Sequence, residues 1–345
     1  MKRLISFLLV TVFLAATLAG CSTQTTTEEK KPEEKKEEAA APIELKLAVE
    51  SAVGTPGDVS AQDFKRLVEE KTNGRVIISY FPAGQVGTGD DLTELMQSGS
   101  MDMSWRAIEW YSKFEPGWNI LLMGFMFKDN AQLTNFLKSD KHKEFKDNLL
   151  KNSGLRMIAD NGIGAPRVLI SKKPVNSPED MKGMNMRVPG IEMYMKTWQG
   201  VGVNCVSVPW GDAYMALSQG TVDALESPLG SIYGMKFHEV GKYITLTNHV
   251  FSPYVMVIND KAYNKLSPEL QEILTECAME AGDLFTKYDS ESVNKNKDEM
   301  IKSGVTINEN PDIKAFQEKL AGVAEECENS GMWPKGLYEY VLKLN

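Results

Sequence analysis

Histidine and cysteine are both scarce in this chain, and the common catalytic and phosphate-binding motifs are missing. Only 3 histidines and 4 cysteines occur. His142, His238 and His249 stand among Lys and Glu or beside Asn248, and they read as surface or capping residues rather than as bases or ligands. Catalysis near neutral pH would then fall to carboxylates. No Gly-x-Gly-x-x-Gly, no Gly-x-x-x-x-Gly-Lys-Ser/Thr, no Gly-x-Ser-x-Gly elbow and no His-Glu-x-x-His is present. Past the N-terminus no apolar run reaches the ~18 residues of a membrane span. The net charge of −9 gives no basic footprint for nucleic acid. Cys205, Cys277 and Cys327 are odd in number, with spacings that fit neither a zinc site nor a disulfide framework. No metal and no cofactor is expected. The clustered methionines Met181, Met184, Met186, Met193 and Met195 read as packing.

The N-terminus reads as a targeting segment. Lys2 and Arg3 precede an apolar stretch over 4–18 that is too short for a comfortable span. The tetrad Leu18-Ala19-Gly20-Cys21 resembles a bacterial lipobox, which implies cleavage before Cys21 and lipidation of that residue. Residues 1–21 are thus read as a lipoprotein signal peptide with its lipidated Cys. Residues 22–42 are Thr-rich and then alternate Glu and Lys pairs, with no aromatic and no aliphatic side chain larger than Ala. Such a stretch cannot bury enough surface to offset its ordering entropy, so it is expected to be a disordered tether.

From residue 43 the pattern becomes globular. Alternation over 44–49, a helical stripe over 60–71, a β-branched run over 75–81, a helix over 90–97 and a strand over 101–105 make a βαβαβ unit. Strand and helix patterns alternate again between 155 and 226. A helical pattern from Pro268 to about Ile301 exceeds the usual length for one globular domain and predicts a helix lying along two lobes. Two α/β lobes joined in this way leave a cleft, where small ligands usually bind.

Two arginines stand in apolar surroundings twenty residues apart: Arg167 after Gly164-Ala165-Pro166, and Arg187 in Met186-Arg187-Val188-Pro189. The planar guanidinium fork matches a carboxylate bidentately, so this pair points to an organic acid.

The residues around them carry a resemblance. The run 177–189, the stretch 208–224 from Val208-Pro209-Trp210-Gly211-Asp212, Glu226-Ser227-Pro228, Phe237-His238-Glu239-Val240-Gly241 and Phe81-Pro82-Ala83-Gly84-Gln85 resemble the signature of solute-binding proteins of tripartite ATP-independent periplasmic (TRAP) transporters. The resemblance extends from about Glu44 to the C-terminus. It implies an α/β, two-lobed periplasmic-binding-protein-like fold with a mixed sheet in each lobe, hinge strands and a long helix spanning both. Lobe I would be 43–164 plus 253–292, and lobe II 165–252 plus 293–345. The implied role is an extracytoplasmic receptor that performs no chemistry. It captures a small carboxylate and delivers it to the permease subunits of a TRAP system, while lipidated Cys21 holds it to the membrane. Arg187 would pair with the ligand carboxylate, Arg167 would be a second grip and Trp210 a pocket wall. Ser227 stands where relatives often carry Asn. Trp105, Arg106 and Glu50 would face the ligand from lobe I. The alternatives are a secreted enzyme using Glu226 or Asp223, and an interaction domain with a filled cleft.

Overall fold

The computed structural model describes residues 41–344. The expected signal peptide, Cys21 and all of the expected tether except residues 41 and 42 lie outside the described residues. The strands are β1 (Ile43–Val49), β2 (Val76–Phe81), β3 (Met103–Ala107), β4 (Leu155–Gly162), β5 (Arg167–Ser171), β6 (Asn185–Val188), β7 (Asn204–Ser207), β8 (Ala224–Pro228), β9 (Tyr243–Val250), β10 (Tyr254–Asn259) and β11 (Thr306–Asn308).

The described residues form two sheets, ordered β2-β1-β3-β10-β4 and β11-β9-β5-β8-β6-β7. In the first, β1 to β3 are the parallel strands of the βαβαβ unit, and β10 runs antiparallel between β3 and β4. In the second, β6 lies parallel to β7 and β8, while β5 is antiparallel to β8 and β9. Both sheets are therefore mixed, as expected of the two-lobed α/β fold.

The chain passes between the sheets twice, from β4 to β5 and from β9 to β10. These crossings run side by side, because Gly162 pairs with Tyr254 on one flank and Arg167 with Val250 on the other. A third link is the helix Pro268–Lys302, capped by Ser267, whose hydroxyl accepts from the Leu270 N–H at 3.3 Å. Its first half packs Leu270, Leu274, Cys277, Ala281 and Phe285 into the core of the first sheet, and Met300 enters that of the second. Gly282 inside this helix has a packing reason: a Cβ there would lie 2.0 Å from the Asn161 Oδ1 on β4.

A further core lies between the sheets and draws on both. Leu121, Phe136 and Val257 meet Leu169, Met186 and Trp198, and the C-terminal residues Phe316, Trp333 and Val341 pack into the same cluster. The C-terminal helices also touch the first half of the chain, where the Gln132 amide donates to the carbonyls of Val341 and Leu344 at 3.1 Å each. Cys205, Cys277 and Cys327 are free. No helix among the described residues is long and apolar enough to cross a membrane.

The histidine expectation fails at two positions. His142 and His249 are buried. Their polar neighbours in sequence lie on the outer sides of their elements, while the rings point inward. The Trp118 Nε1 donates to the His142 Nδ1 at 3.2 Å, so the His142 Nε2 carries the proton and bonds the Asp160 carboxylate at 2.9 Å.

Candidate functional site

Between the sheets lies a cleft of about 860 Å³, including the space at its open mouth. Strand periodicity decides which side chains reach it. On β3, successive residues face opposite sides of the sheet. Arg106 turns to the cleft, and Trp105 turns away into the core beneath the helices. Trp105 was expected at the ligand and is not there. Its indole N–H donates to the Ser60 Oγ at 3.0 Å, and its ring meets Tyr254 and Phe285 edge-on at 5.7 and 5.9 Å.

Arg106 lines the cleft but is held tightly. Its Nη1 donates to Glu50 Oε1 and to the Gly89 carbonyl, each at 2.8 Å, its Nη2 to the Thr93 hydroxyl, and its Nε to the Tyr111 hydroxyl at 3.3 Å. Glu50 therefore has a cation beside it, and its Oε1 also accepts from the Gly89 N–H at 3.0 Å. The Oε2 has no hydrogen-bond partner among the described residues, and Glu50 lines the cleft.

Arg167, at the start of β5, is similarly engaged. Its Nε and Nη2 donate to the two carboxylate oxygens of Glu226, the latter at 2.9 Å, and its Nη1 donates to Glu109 at 3.1 Å. The guanidinium lies 4.9 Å over the Tyr194 ring. Glu226 also bonds the His249 Nε2 at 3.3 Å. Burial disfavours the Glu226 charge, but Arg167 and His249 outweigh it and hold the carboxyl at about 2. A bulge aims His249: Arg167 pairs with Val250 and Leu169 with Thr245, so β9 carries extra residues there, and Asn248 takes a positive φ of 45°.

Arg187 differs from both. It is 2% exposed, its Nε donates to the Val208 carbonyl at 2.9 Å, and its guanidinium stacks 5.4 Å from the centroid of the Trp210 ring. Neither Nη group has a hydrogen-bond partner among the described residues, and no carboxylate forms an ion pair with it there. Burial without a paired anion brings its pKa down to about 10. At neutral pH it remains a cation, with two parallel donors facing a cleft.

Trp210 and Ser227 line the same cleft. Trp210 is braced by the edge of Phe237 at 5.2 Å. Of the seven residues expected at the site, the structure brings Glu50, Arg106, Arg167, Arg187, Trp210 and Ser227 together and leaves Trp105 out.

Sequence reasoning missed further lining residues, among them Glu109, Trp110, Ser252 and Tyr254. Glu109 had a signal. It is a lone carboxylate within Ile108-Glu109-Trp110-Tyr111, the same oddity that marked the arginines. Tyr254 and Ser252 had none, because only the β9–β10 crossing brings them to the cleft. No group of three or more His, Cys, Asp or Glu placed to hold a metal occurs among the described residues.

Two mixed α/β halves flank a cleft in which the buried Arg187 has no carboxylate partner among the described residues, an arrangement that fits a bilobed solute receptor. The chain belongs to the family of bacterial extracellular solute-binding proteins, family 7, whose model matches residues 48–330. This membership places it among binding proteins for transport and not among enzymes. It is 30% identical over 276 residues to the 2,3-diketo-L-gulonate-binding periplasmic protein YiaO of Escherichia coli strain K12, covering 80% of this chain and 84% of that protein. Among solved structures it resembles a TRAP periplasmic solute-binding protein from Ochrobacterium anthropi with bound L-fuconate, at 28% identity and a TM-score of 0.82, covering 88% of this chain and all of the other (100%). One from Actinobacillus succinogenes with bound L-galactonate shows 28% identity and a TM-score of 0.80, covering 86% and 97%.

Proposed function

We propose that this chain is an extracytoplasmic receptor that captures a small organic acid in the interlobe cleft and passes it to the permease of a TRAP transporter. The observation that carries this reading is the unpartnered Nη pair of Arg187 in a nearly dry setting. A buried cation without an anion is costly, and a bidentate carboxylate relieves that cost while fixing the ligand's orientation. The other two cleft arginines already have carboxylate partners, so they shape and neutralise the walls. Arg167 acts in this reading by holding Glu226 and Glu109, and it touches the ligand only from the side.

The remaining lining suits a hydroxylated acid. Ser51, Thr55, Ser231 and Ser252 present hydroxyls, and the free Oε2 of Glu50 accepts from a ligand hydroxyl. Trp110 and Trp210 cover the carbon skeleton from the two sides. The sugar acids named for the relatives have this chemistry. In our reading, 43–164 with 253–292 and 165–252 with 293–345 are lobes that close on the ligand, because binding favours the closed state. Processing at Cys21 would anchor the receptor to the membrane, with 22–42 as its tether.

Thermal-shift screening of the full chain against organic acids tests the proposal. Acids that bind the native state raise the melting temperature, the shift disappears in Arg187→Met, and the ligand is recovered unchanged after long incubation. If no acid raises the melting temperature, or if Arg187→Met responds like the parent, the reading is wrong.

A further inference from the structure

The cleft continues past Tyr254. A side chamber of about 390 Å³, including its opening, runs on toward the long helix and shares Ser51, Ser231, Ser252 and Tyr254 with the main cleft. Its far wall includes Asp289 of the helix Pro268–Lys302.

Asp289 is 6% exposed. Its Oδ2 accepts from the Ala165 N–H at 2.6 Å, while its Oδ1 has no hydrogen-bond partner and no cation beside it among the described residues. The space in front of the carboxylate depends on two glycines. A Cβ on Gly230 would stand 3.3 Å from Oδ1, and one on Gly164 would stand 3.3 Å from Oδ2. Burial raises the Asp289 carboxyl above the usual aspartate range, with only the Ala165 N–H acting against it. If the side chain served only to tie down Ala165, one neutral acceptor would suffice. A nearly buried carboxylate with an unpartnered oxygen beside a largely apolar chamber costs free energy until a donor reaches it.

We propose that Asp289 forms a second polar subsite, which accepts a hydrogen bond from a hydroxyl or ammonium group on the end of the ligand away from its carboxylate. The subsite rests on the receptor reading: Arg187 holds the acid group, and Asp289 selects what lies at the other end. It makes the chain a reader of ligand length and terminal chemistry.

Calorimetric titration of the full chain tests the subsite with matched acids. L-galactonate and L-fuconate differ in a terminal hydroxyl. Butyrate, 4-hydroxybutyrate and 4-aminobutyrate differ in having no donor, a hydroxyl or an ammonium. In at least one set the donor-bearing acid should bind roughly tenfold or more tightly than its donorless partner, as for a hydrogen bond to a charged group. Which partner wins distinguishes hydroxyl from ammonium. Asp289→Asn keeps an acceptor for Ala165 but turns a donor toward the chamber; it should erase a preference for an ammonium and weaken a preference for a hydroxyl, which can still accept from the amide. Arg187→Met should abolish binding of every acid.

If acids bind through Arg187 but show no preference for a terminal donor, or if Asp289→Asn keeps the preference undiminished, the subsite is wrong and the receptor stands. If none of these acids binds and the wider acid screen is also blank, both fall. If only other acids bind, the comparison is made on those acids and their deoxy or deamino forms. The ligand-free melting temperature of Asp289→Asn shows whether it folds; if it does not, the matched pairs on the parent chain decide.

Discussion

Arg167 grips both carboxylate oxygens of Glu226, 59 positions further along the chain, and this pairing leaves Arg187 as the cleft arginine with free terminal donors. Charge alone does not separate the two arginines. Their partners do, and the expected behaviour of variants follows from that difference.

Arg187→Met should abolish ligand binding with little effect on the ligand-free fold. Two charge-assisted hydrogen bonds at about 1.5–3 kcal/mol each correspond to at least a hundredfold loss of affinity. Removing a buried cation that lacks an anion costs little, so the ligand-free melting temperature should hold or rise. Calorimetry and thermal denaturation on the same preparation check both parts.

Glu226→Gln should behave in the opposite way. It leaves Arg167 buried with a neutral partner, and breaking a buried pair costs about 3–5 kcal/mol. The Glu226 pKa lies below its unfolded value of about 4.3, near 2 in the fold. Its stabilisation is therefore complete above the unfolded value and is lost as the pH falls through 4 toward 2. Asp160, also held at about 2 against its burial by His142 and Lys146, adds to the same loss. Denaturant midpoints measured from pH 5 to pH 2.5 should fall steeply in the parent and less steeply in Glu226→Gln.

Mild acid should also destabilise the fold through histidine. Burial lowers the pKa of both His142 and His249. The unfolded chain then takes up these protons at pH values where the fold does not, so stability declines as the pH drops below about 6.5. His142→Asn should reduce the dependence between pH 7.5 and pH 5.5, although its stability at pH 7.5 also falls because Trp118 loses its acceptor. Urea titrations at the two pH values give the slope.

Trp105 and Trp110 should separate stability from binding. Trp105→Phe removes the indole that bonds Ser60 inside the core, costing about 1–3 kcal/mol, and should leave ligand affinity unchanged. Trp110→Ala removes a half-buried cleft wall and should weaken binding with a smaller loss of stability. If Trp105→Phe abolishes binding in a folded protein, its assignment to the core is wrong.

Gly234 should control closure. It ends the helix Leu229–Gly234, and a Cβ there would lie 2.5 Å from the Thr55 Cγ2 on the opposite rim. A Gly234→Leu side chain should hold the rims apart and weaken ligand binding without touching Arg187. Small-angle scattering with and without ligand should show a smaller contraction than in the parent.

The sequence by itself determined a good deal. Alternation and helical spacing placed the βαβαβ unit and the long helix, since those periods are local and set by which face is buried. Arg187 in its Arg-Val-Pro setting, Arg167, Trp210 and the motifs around them pointed to a carboxylate receptor. What the tertiary structure decided were relations between distant residues. Glu226 reaches Arg167 only because β8 pairs with β5, and Glu109 joins them only across the cleft. Trp105 and Arg106 are neighbours in the chain and part company only through the phase of β3 in its sheet. Asp289 looks like any acidic residue in a polar helix until the crossing at 164–165 is laid against it. Pairing, burial and strand phase are long-range properties, and they left one of two similar arginines paired with carboxylates and the other without one among the described residues.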